Sequence, residues 1–168
     1  GTASYAAGVP GWVTQAALMK HEEPVLSGIF APVTDEFFSG EKGKGAFRNG
    51  QRLFVAGGDD SIRSIVDNYP EPQGVTKEII RDLGIERYVE SGSIALKICR
   101  VADGTADVFY KAMVPGDWDL AAPHVILQEA GGVIRDAFGH MIRYATEGRR
   151  HQGLIAARSE KQMRRISQ

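Results

Sequence analysis

Two apolar runs, residues 12–19 and 25–31, are separated only by Lys20-His21-Glu22-Glu23-Pro24. Two runs of strand length joined by a short polar spacer leave room for a hairpin and for little else. Val13, Ala17, Leu26, Ile29 and Phe30 are residues that suit strands. Asp35-Glu36-Phe37-Phe38-Ser39 reads as a third strand. Residues 41–49, with Gly43, Gly45 and Gly50, form a turn-rich segment leading to Arg52-Leu53-Phe54-Val55. Glycine numbers 20 of 168 residues, above ordinary usage, and it punctuates short apolar runs throughout. The first part of the chain therefore reads as an antiparallel meander.

The grammar changes at Gly57-Gly58-Asp59-Asp60, which divides the chain into residues 1–58 and 59–168. In the second part, strand-like stretches at 62–69, 88–90, 106–110 and 153–157 alternate with helical ones at 75–83, 93–103, 118–130 and 160–166. The helix over 93–103 places Ile94, Ile98 and Val101 on one face, and Lys97, Arg100 and Asp103 on another. Such alternation predicts a layered α/β unit with a mixed sheet flanked by helices.

Charge and cysteine usage narrow the function classes. Lys and Arg total 20 against 21 Asp and Glu, a formal net charge of -1. A nucleic-acid binder would show a basic excess, so none is expected as a partner. Cys99 is alone, which fits a reducing compartment. No apolar run approaches the roughly 18 residues of a membrane span. A soluble, cytoplasmic protein without a membrane partner is the expectation.

The stretch Gly116-Asp117-Trp118-Asp119-Leu120-Ala121-Ala122-Pro123, followed by Glu129-Ala130-Gly131-Gly132, carries the most chemistry. Asp119 falls where a helix should start, with Pro123 within about its first turn, where a proline is tolerated. A helix N-terminus also binds phosphate, and a divalent cation lets a carboxylate share that place with an anion. The alternative is a plain N-cap worth about 1 kcal/mol, with Trp118 in the core. Both readings stand on these residues alone.

The same segment resembles the second signature of the magnesium-dependent phosphatases of the inositol monophosphatase superfamily. Gly92-Ser93-Ile94-Ala95-Leu96-Lys97-Ile98-Cys99 is similar to that family's linking helix, and Val101-Ala102-Asp103-Gly104-Thr105-Ala106-Asp107 to the passage into the next strand. Gly43-Lys44-Gly45-Ala46-Phe47-Arg48-Asn49-Gly50 resembles the loop closing its antiparallel sheet. Gly1-Thr2 matches the tail of its first signature, Asp-Pro-(Ile/Leu)-Asp-Gly-Thr. The resemblance covers the chain in order. It implies a layered sandwich in which 1–58 completes an antiparallel-sheet domain and 59–168 forms the α/β domain. It also implies that the family's other metal ligands, an Asp pair and a Glu-Glu motif, would precede Gly1. A chain with Asp119 alone is then expected not to hydrolyse phosphate esters by itself.

By that resemblance, Asp119 would bind Mg²⁺ near the leaving group. The Thr2 hydroxyl would orient a metal-activated water, and the N–H groups of Gly1 and Thr2 would hold the phosphate. Ser93 would touch the organic part of a small phosphorylated metabolite, and a homodimer is implied. Ser93 reads equally as the cap of its helix, and Thr2 as the cap of the helix that follows it. Lys111 departs from the inositol-specific pattern, which has a Glu there, and lies eight positions before Asp119. A cation at that place resembles the 3′(2′),5′-bisphosphate nucleotidase branch, where it can meet a second phosphate; the alternative is an exposed lysine at a strand end. Inositol monophosphate is the leading substrate expectation, then a bisphosphate nucleotide, then fructose 1,6-bisphosphate. The competing class is a catalytically incomplete module for dimerisation or regulation. His21, His124, His140 and His151 show no metal-ligand spacing, and His124 is expected on a polar helix face. Cys99 is expected to be buried and inert. Arg149-Arg150-His151 and residues 161–165 read as small basic surface clusters.

Overall fold

The computed structural model describes residues 1–55, 57–113, 115–144 and 151–167. A short helix α1 (Thr2–Ala6) precedes five antiparallel strands in chain order: β1 (Thr14–Lys20), β2 (Glu23–Ala31), β3 (Glu36–Glu41), β4 (Gly45–Arg48) and β5 (Gln51–Leu53). The first hairpin is tighter than its spacer suggests. Lys20 pairs with Glu23, so the turn is His21-Glu22 alone, with φ of 48° and 65°. Such primed turns match the twist of the strands they join. The segment read as turn-rich contains the strand β4, which Asn49-Gly50, with φ of 47° and 80°, joins to β5. Asn tolerates that conformation, and here Asn49 Oδ1 also accepts the Phe37 N–H at 2.7 Å.

The second sheet uses β6 (Ser64–Asp67), β7 (Arg87–Glu90), β8 (Val108–Lys111), β9 (Val133–Arg135) and β10 (Leu154–Ala157) in the order β7-β6-β8-β10-β9. The β6 strand runs parallel to β7 and β8, and β10 runs antiparallel to β8 and β9. Helices α2 (Gly74–Leu83), α3 (Ile94–Ala102), α4 (Asp117–Glu129) and α5 (Glu160–Ile166) connect them. The strand β9 has no counterpart in the sequence reading, because three residues are too few to show a period. The passage from Leu53 to Ser64 links the two sheets and contains the Gly57-Gly58 change of grammar.

Alternation in the second sheet sends its side chains to two cores. Val66, Phe109 and Ala156 face inward with Ile98, Val101, Leu120 and Ile126 of α3 and α4, and with Ile29, Phe38 and Ala46 of the first sheet. Ile65, Val108 and Ile155 face the other way, against Ile79 and Leu83 of α2 and Met163 of α5. The layers run sheet, helix pair, sheet, helix pair. Each fully buried Ile, Leu or Phe contributes about 1.5–3 kcal/mol, so the central layer holds the assembly together.

The polar face of α3 meets protein, not water. Arg100 and Arg48 share the carboxylates of Glu36 and Asp103, with Arg100 Nη2 at 2.5 Å from Glu36 Oε2 and Nη1 at 3.1 Å from Asp103 Oδ2. These bonds hold the Glu36 carboxyl down to about 2, Arg100 contributing most. The far end of α4 is fastened similarly. Glu129 accepts the N–H groups of Gly43 and Gly45, both at 2.9 Å, and so ties the helix to the β3–β4 turn.

Candidate active site

The first turn of α4 starts earlier than the sequence suggested. Gly116 is the N-cap, and Asp117, Trp118 and Asp119 are the first three helical residues. Asp119 is therefore not the cap. Its Oδ2 reaches back to the Gly116 N–H at 3.2 Å, and a carboxylate there is favoured by the helix dipole. Pro123 consequently lies inside the helix, beyond its first turn. Having no N–H, it leaves the Asp119 carbonyl without its helical partner. Trp118 is not core: it is 79% exposed, and its carbonyl accepts Gln15 Nε2 at 2.8 Å.

Residues 11–15 form a floor on which three helices begin. Gly1 abuts Trp12 and Val13, and the Tyr5 ring stands edge-on to Trp12 at 4.9 Å. Thr2 is the first residue of α1 and exposed, not the cap of that helix. Gly11 passes so close to Gly92 that a Cβ at Gly92 would stand 2.1 Å from the Gly11 carbonyl oxygen. That oxygen accepts the Ser93 N–H at 2.7 Å, and Ser93 Oγ caps α3 by accepting the Leu96 N–H at 3.1 Å. Gln15 then reaches α4. Gly1 and Ser93 thus border residues 11–13, and the first turn of α4 meets the same stretch through Trp118 and Gln15; among the described residues no hydrogen bond joins Thr2, Ser93 and Asp119. A cavity of about 590 Å³ opens beside this floor, lined by Ser4, Gly11, Trp12, Gly92 and Asn68 among others.

Lys111 ends β8, and its surroundings hold the residue that the sequence reading missed. Lys111 Nζ lies 3.1 Å from Asn68 Oδ1 and 3.8 Å from Asp67 Oδ1. Lys97 Nζ, from α3, lies at the same 3.1 Å and 3.8 Å from the same two oxygens. Lys97 is the deeper, with 3% of its side chain exposed against 15% for Lys111. Burial lowers its amine to about 8, Asp67 opposing that and Lys111 adding to it. Phe109 and Tyr69 lend ring faces to the two cations at 5.1 Å and 5.8 Å. The helical period showed Lys97 on a polar face, but nothing local in the sequence revealed its partner.

A second network flanks Asp119. His151 Nε2 meets Asp117 Oδ1 at 2.7 Å, the Tyr144 ring stands edge-on to His151, and Tyr144 Oη meets His124 Nδ1 at 2.8 Å. His124 stands half-buried on the polar side of α4 with the exposed Gln128; burial pushes it down to about 4, with Arg135 adding to the shift, so it is neutral at pH 7. Cys99 is buried, and its thiol is pushed well up. Asp60 pairs with Lys161 at 2.8 Å; Arg149 and Arg150 lie outside the described residues.

The donors present suit a magnesium ion in part. Asp119 has one oxygen engaged by Gly116 and one left for a cation. Mg²⁺ takes one or two carboxylates and completes its shell with water and phosphate, so Asp119 fits as one corner of a centre. Among the described residues, no group of three or more His, Cys, Asp or Glu stands ready to hold a metal ion, nor is any helix long and apolar enough to cross a membrane.

Comparison with known proteins gives the same picture. The profile of the Inositol monophosphatase family matches residues 1–168. Inositol monophosphatase 2 of Solanum lycopersicum is 32% identical over 147 residues, covering 83% of this chain and 56% of its own length. A fructose-1,6-bisphosphatase of Pyrococcus furiosus is 33% identical over 170 residues, covering 99% of this chain and 64% of its own. Among solved structures, CysQ from Bacteroides thetaiotaomicron, described as a bacterial member of the inositol monophosphatase family, superimposes with a TM-score of 0.81 at 26% identity, over 95% of this chain and 68% of that one. The chain spans little more than half the length of the tomato relative. On the family match over its whole length and on its layered fold, the chain belongs to the inositol monophosphatase family.

Proposed function

We propose that the complete protein hydrolyses a small phosphate monoester with Mg²⁺, and that its substrate carries a second phosphate. The single observation that carries this reading is the convergence of Lys97 and Lys111 on the amide oxygen of Asn68, a residue that lines one cavity with Gly11 and Gly92. The fructose-1,6-bisphosphatase relative supports it, because that name denotes a doubly phosphorylated substrate. Inositol monophosphate is the second reading, favoured by the name of the tomato relative.

Each residue has a role on this reading. The N–H groups of Gly1 and Thr2, at the start of α1, would hold the scissile phosphate, and the Thr2 hydroxyl would orient water toward it. The Asp119 carboxylate would hold Mg²⁺ from the α4 side. Bound there, the ion supplies charge neutralisation and a nucleophilic water at neutral pH. Ser93, fixed by its bond to Gly11, would border the organic part of the substrate. Lys111, with Lys97 behind it, would take the second phosphate by charge-assisted hydrogen bonds.

The test is a substrate panel on the full-length protein with Mg²⁺ and Lys111→Glu beside the wild type. We expect kcat/KM for adenosine 3′,5′-bisphosphate or fructose 1,6-bisphosphate to fall at least tenfold more than for inositol 1-phosphate. Equal losses on all substrates would remove the second phosphate from the reading. No turnover of any of them would favour a catalytically incomplete module.

A further inference from the structure

The lysine pair is out of balance in charge, and a single neutral residue keeps it so. Two ammonium groups converge on Asn68 Oδ1, an amide oxygen without formal charge. The one carboxylate beside them, Asp67, stands at 3.8 Å from each. Asp67 is also shared: Oδ1 accepts the Asn68 N–H at 2.8 Å, and Oδ2 accepts the Thr76 hydroxyl at 2.8 Å. Asp67 and Lys111 are the charged groups that shift Lys97, and among the described residues the other carboxylate near Asn68 is the exposed Glu90, paired in register with Asp67 and lining the same cavity. Burying one more cation than anion is costly unless an anion arrives. Asn68 itself is partly exposed and lines the 590 Å³ cavity, so its amide stands between the two buried ammonium groups and that open space.

From this we infer that Asn68 is the specificity-determining residue of the site: its uncharged amide leaves one surplus positive charge between Lys97 and Lys111, and that surplus selects substrates bearing a second anionic group. A carboxylate at this position would complete two ion pairs and cancel the attraction, with almost no change in side-chain size. The inference rests on the phosphatase reading for what is bound, but not for whether selection occurs. An anion entering here would replace or join Asn68 Oδ1 as the acceptor between two donors, which Lys can follow by rotating its ammonium group.

The test is equilibrium binding by calorimetry to the full-length protein, with two matched pairs: adenosine 3′,5′-bisphosphate against adenosine 3′-monophosphate, and inositol 1,4-bisphosphate against inositol 1-phosphate. Wild type should prefer the doubly phosphorylated member of at least one pair by tenfold or more. Asn68→Asp should cut that preference about tenfold, since it places a charge within a few ångströms of the bound anion, and should raise the unfolding midpoint. Asn68→Ala, which removes the acceptor but adds no charge, should keep the preference within about threefold. An unchanged preference in Asn68→Asp, or none in wild type, overturns the inference. Turnover with Mg²⁺ is read separately: binding preference as expected without any hydrolysis would sink the phosphatase reading and leave the role of Asn68 standing.

Discussion

Helix α3 carries two ionic clusters one turn apart, and they are built on opposite principles. At Arg100 two guanidinium groups face two carboxylates, Glu36 and Asp103, through several short contacts. At Lys97 two ammonium groups face one carboxylate, at 3.8 Å, and an amide. Arginine's fixed fork suits permanent pairing, whereas lysine is a point charge that adapts to a newcomer. The balanced cluster joins the first sheet to the helix layer. Both reach the same cavity, the balanced one through Arg100 and the unbalanced one through Asn68. A surplus of buried charge, and not access to open space, is the physical mark that separates a site from a strut.

Breaking the balanced cluster should produce the largest effect. Glu36→Gln would strip two guanidinium groups of their shared carboxylate while leaving Asp103, at a cost of about 3–5 kcal/mol in urea unfolding. The acid limb gives the same residue a signature. Its folded carboxyl sits near 2, below the ordinary 4.5. A depressed carboxyl contributes stability that is present above about pH 5 and disappears as pH falls toward 2, worth about 3 kcal/mol. The variant should lack that part of the acid dependence. A variant with the wild-type acid limb would mean that the cluster does not hold Glu36 ionised.

Lys97→Met should act in the opposite direction. The folded amine lies near 8, below its ordinary 10.5. Below pH 8 the fold must keep a cation that the unfolded chain holds more easily. Between about 8 and 10.5 the unfolded state binds the extra proton, so wild-type stability rises with pH by about 3 kcal/mol. The variant should be about 1–3 kcal/mol more stable at pH 7, and its advantage should shrink by pH 10.5. Gaining stability while losing affinity for a second anion is the expected mark of a functional charge. A destabilised Lys97→Met would place the pair among the struts.

Much of this molecule could be read before it was seen, and the exceptions share a cause. The hairpin at residues 20–23, α2 closed by Gly84, and α3 all follow local rules of turn chemistry and period, so they stand where the residues put them. Pro123 in mid-helix and Trp118 in the open do not, because the start of α4 is decided by Gly116 and by a bond from Gln15, a hundred residues away in sequence. The strand β9 is too short to carry a pattern. Asp119, Ser93 and Lys111 were found as candidates because each stands in a recognisable string. Lys97 also stands in one, but its meaning depends on Asp67 and Asn68, which reach it from the end of β6. Period places a residue on a face; only tertiary structure says what that face meets.

The smallest effect separates two independent lysines from a single unit. Lys111 is the more exposed of the pair, so its own loss should change stability by under about 1 kcal/mol at pH 7. Its influence shows instead on its neighbour, because Lys111 is one of the causes that lower the Lys97 amine. With Lys111→Met, the Lys97 amine should move back up toward its ordinary value. The alkaline rise in stability should then begin at higher pH than in wild type, measured as unfolding midpoints between pH 7 and 11. The double variant with Lys97→Met should lose that rise altogether. If the alkaline limb of Lys111→Met overlays the wild type, the two ammonium groups do not sense one another, and the charge surplus that distinguishes this cluster from the Arg100 cluster is not a shared property of the pair.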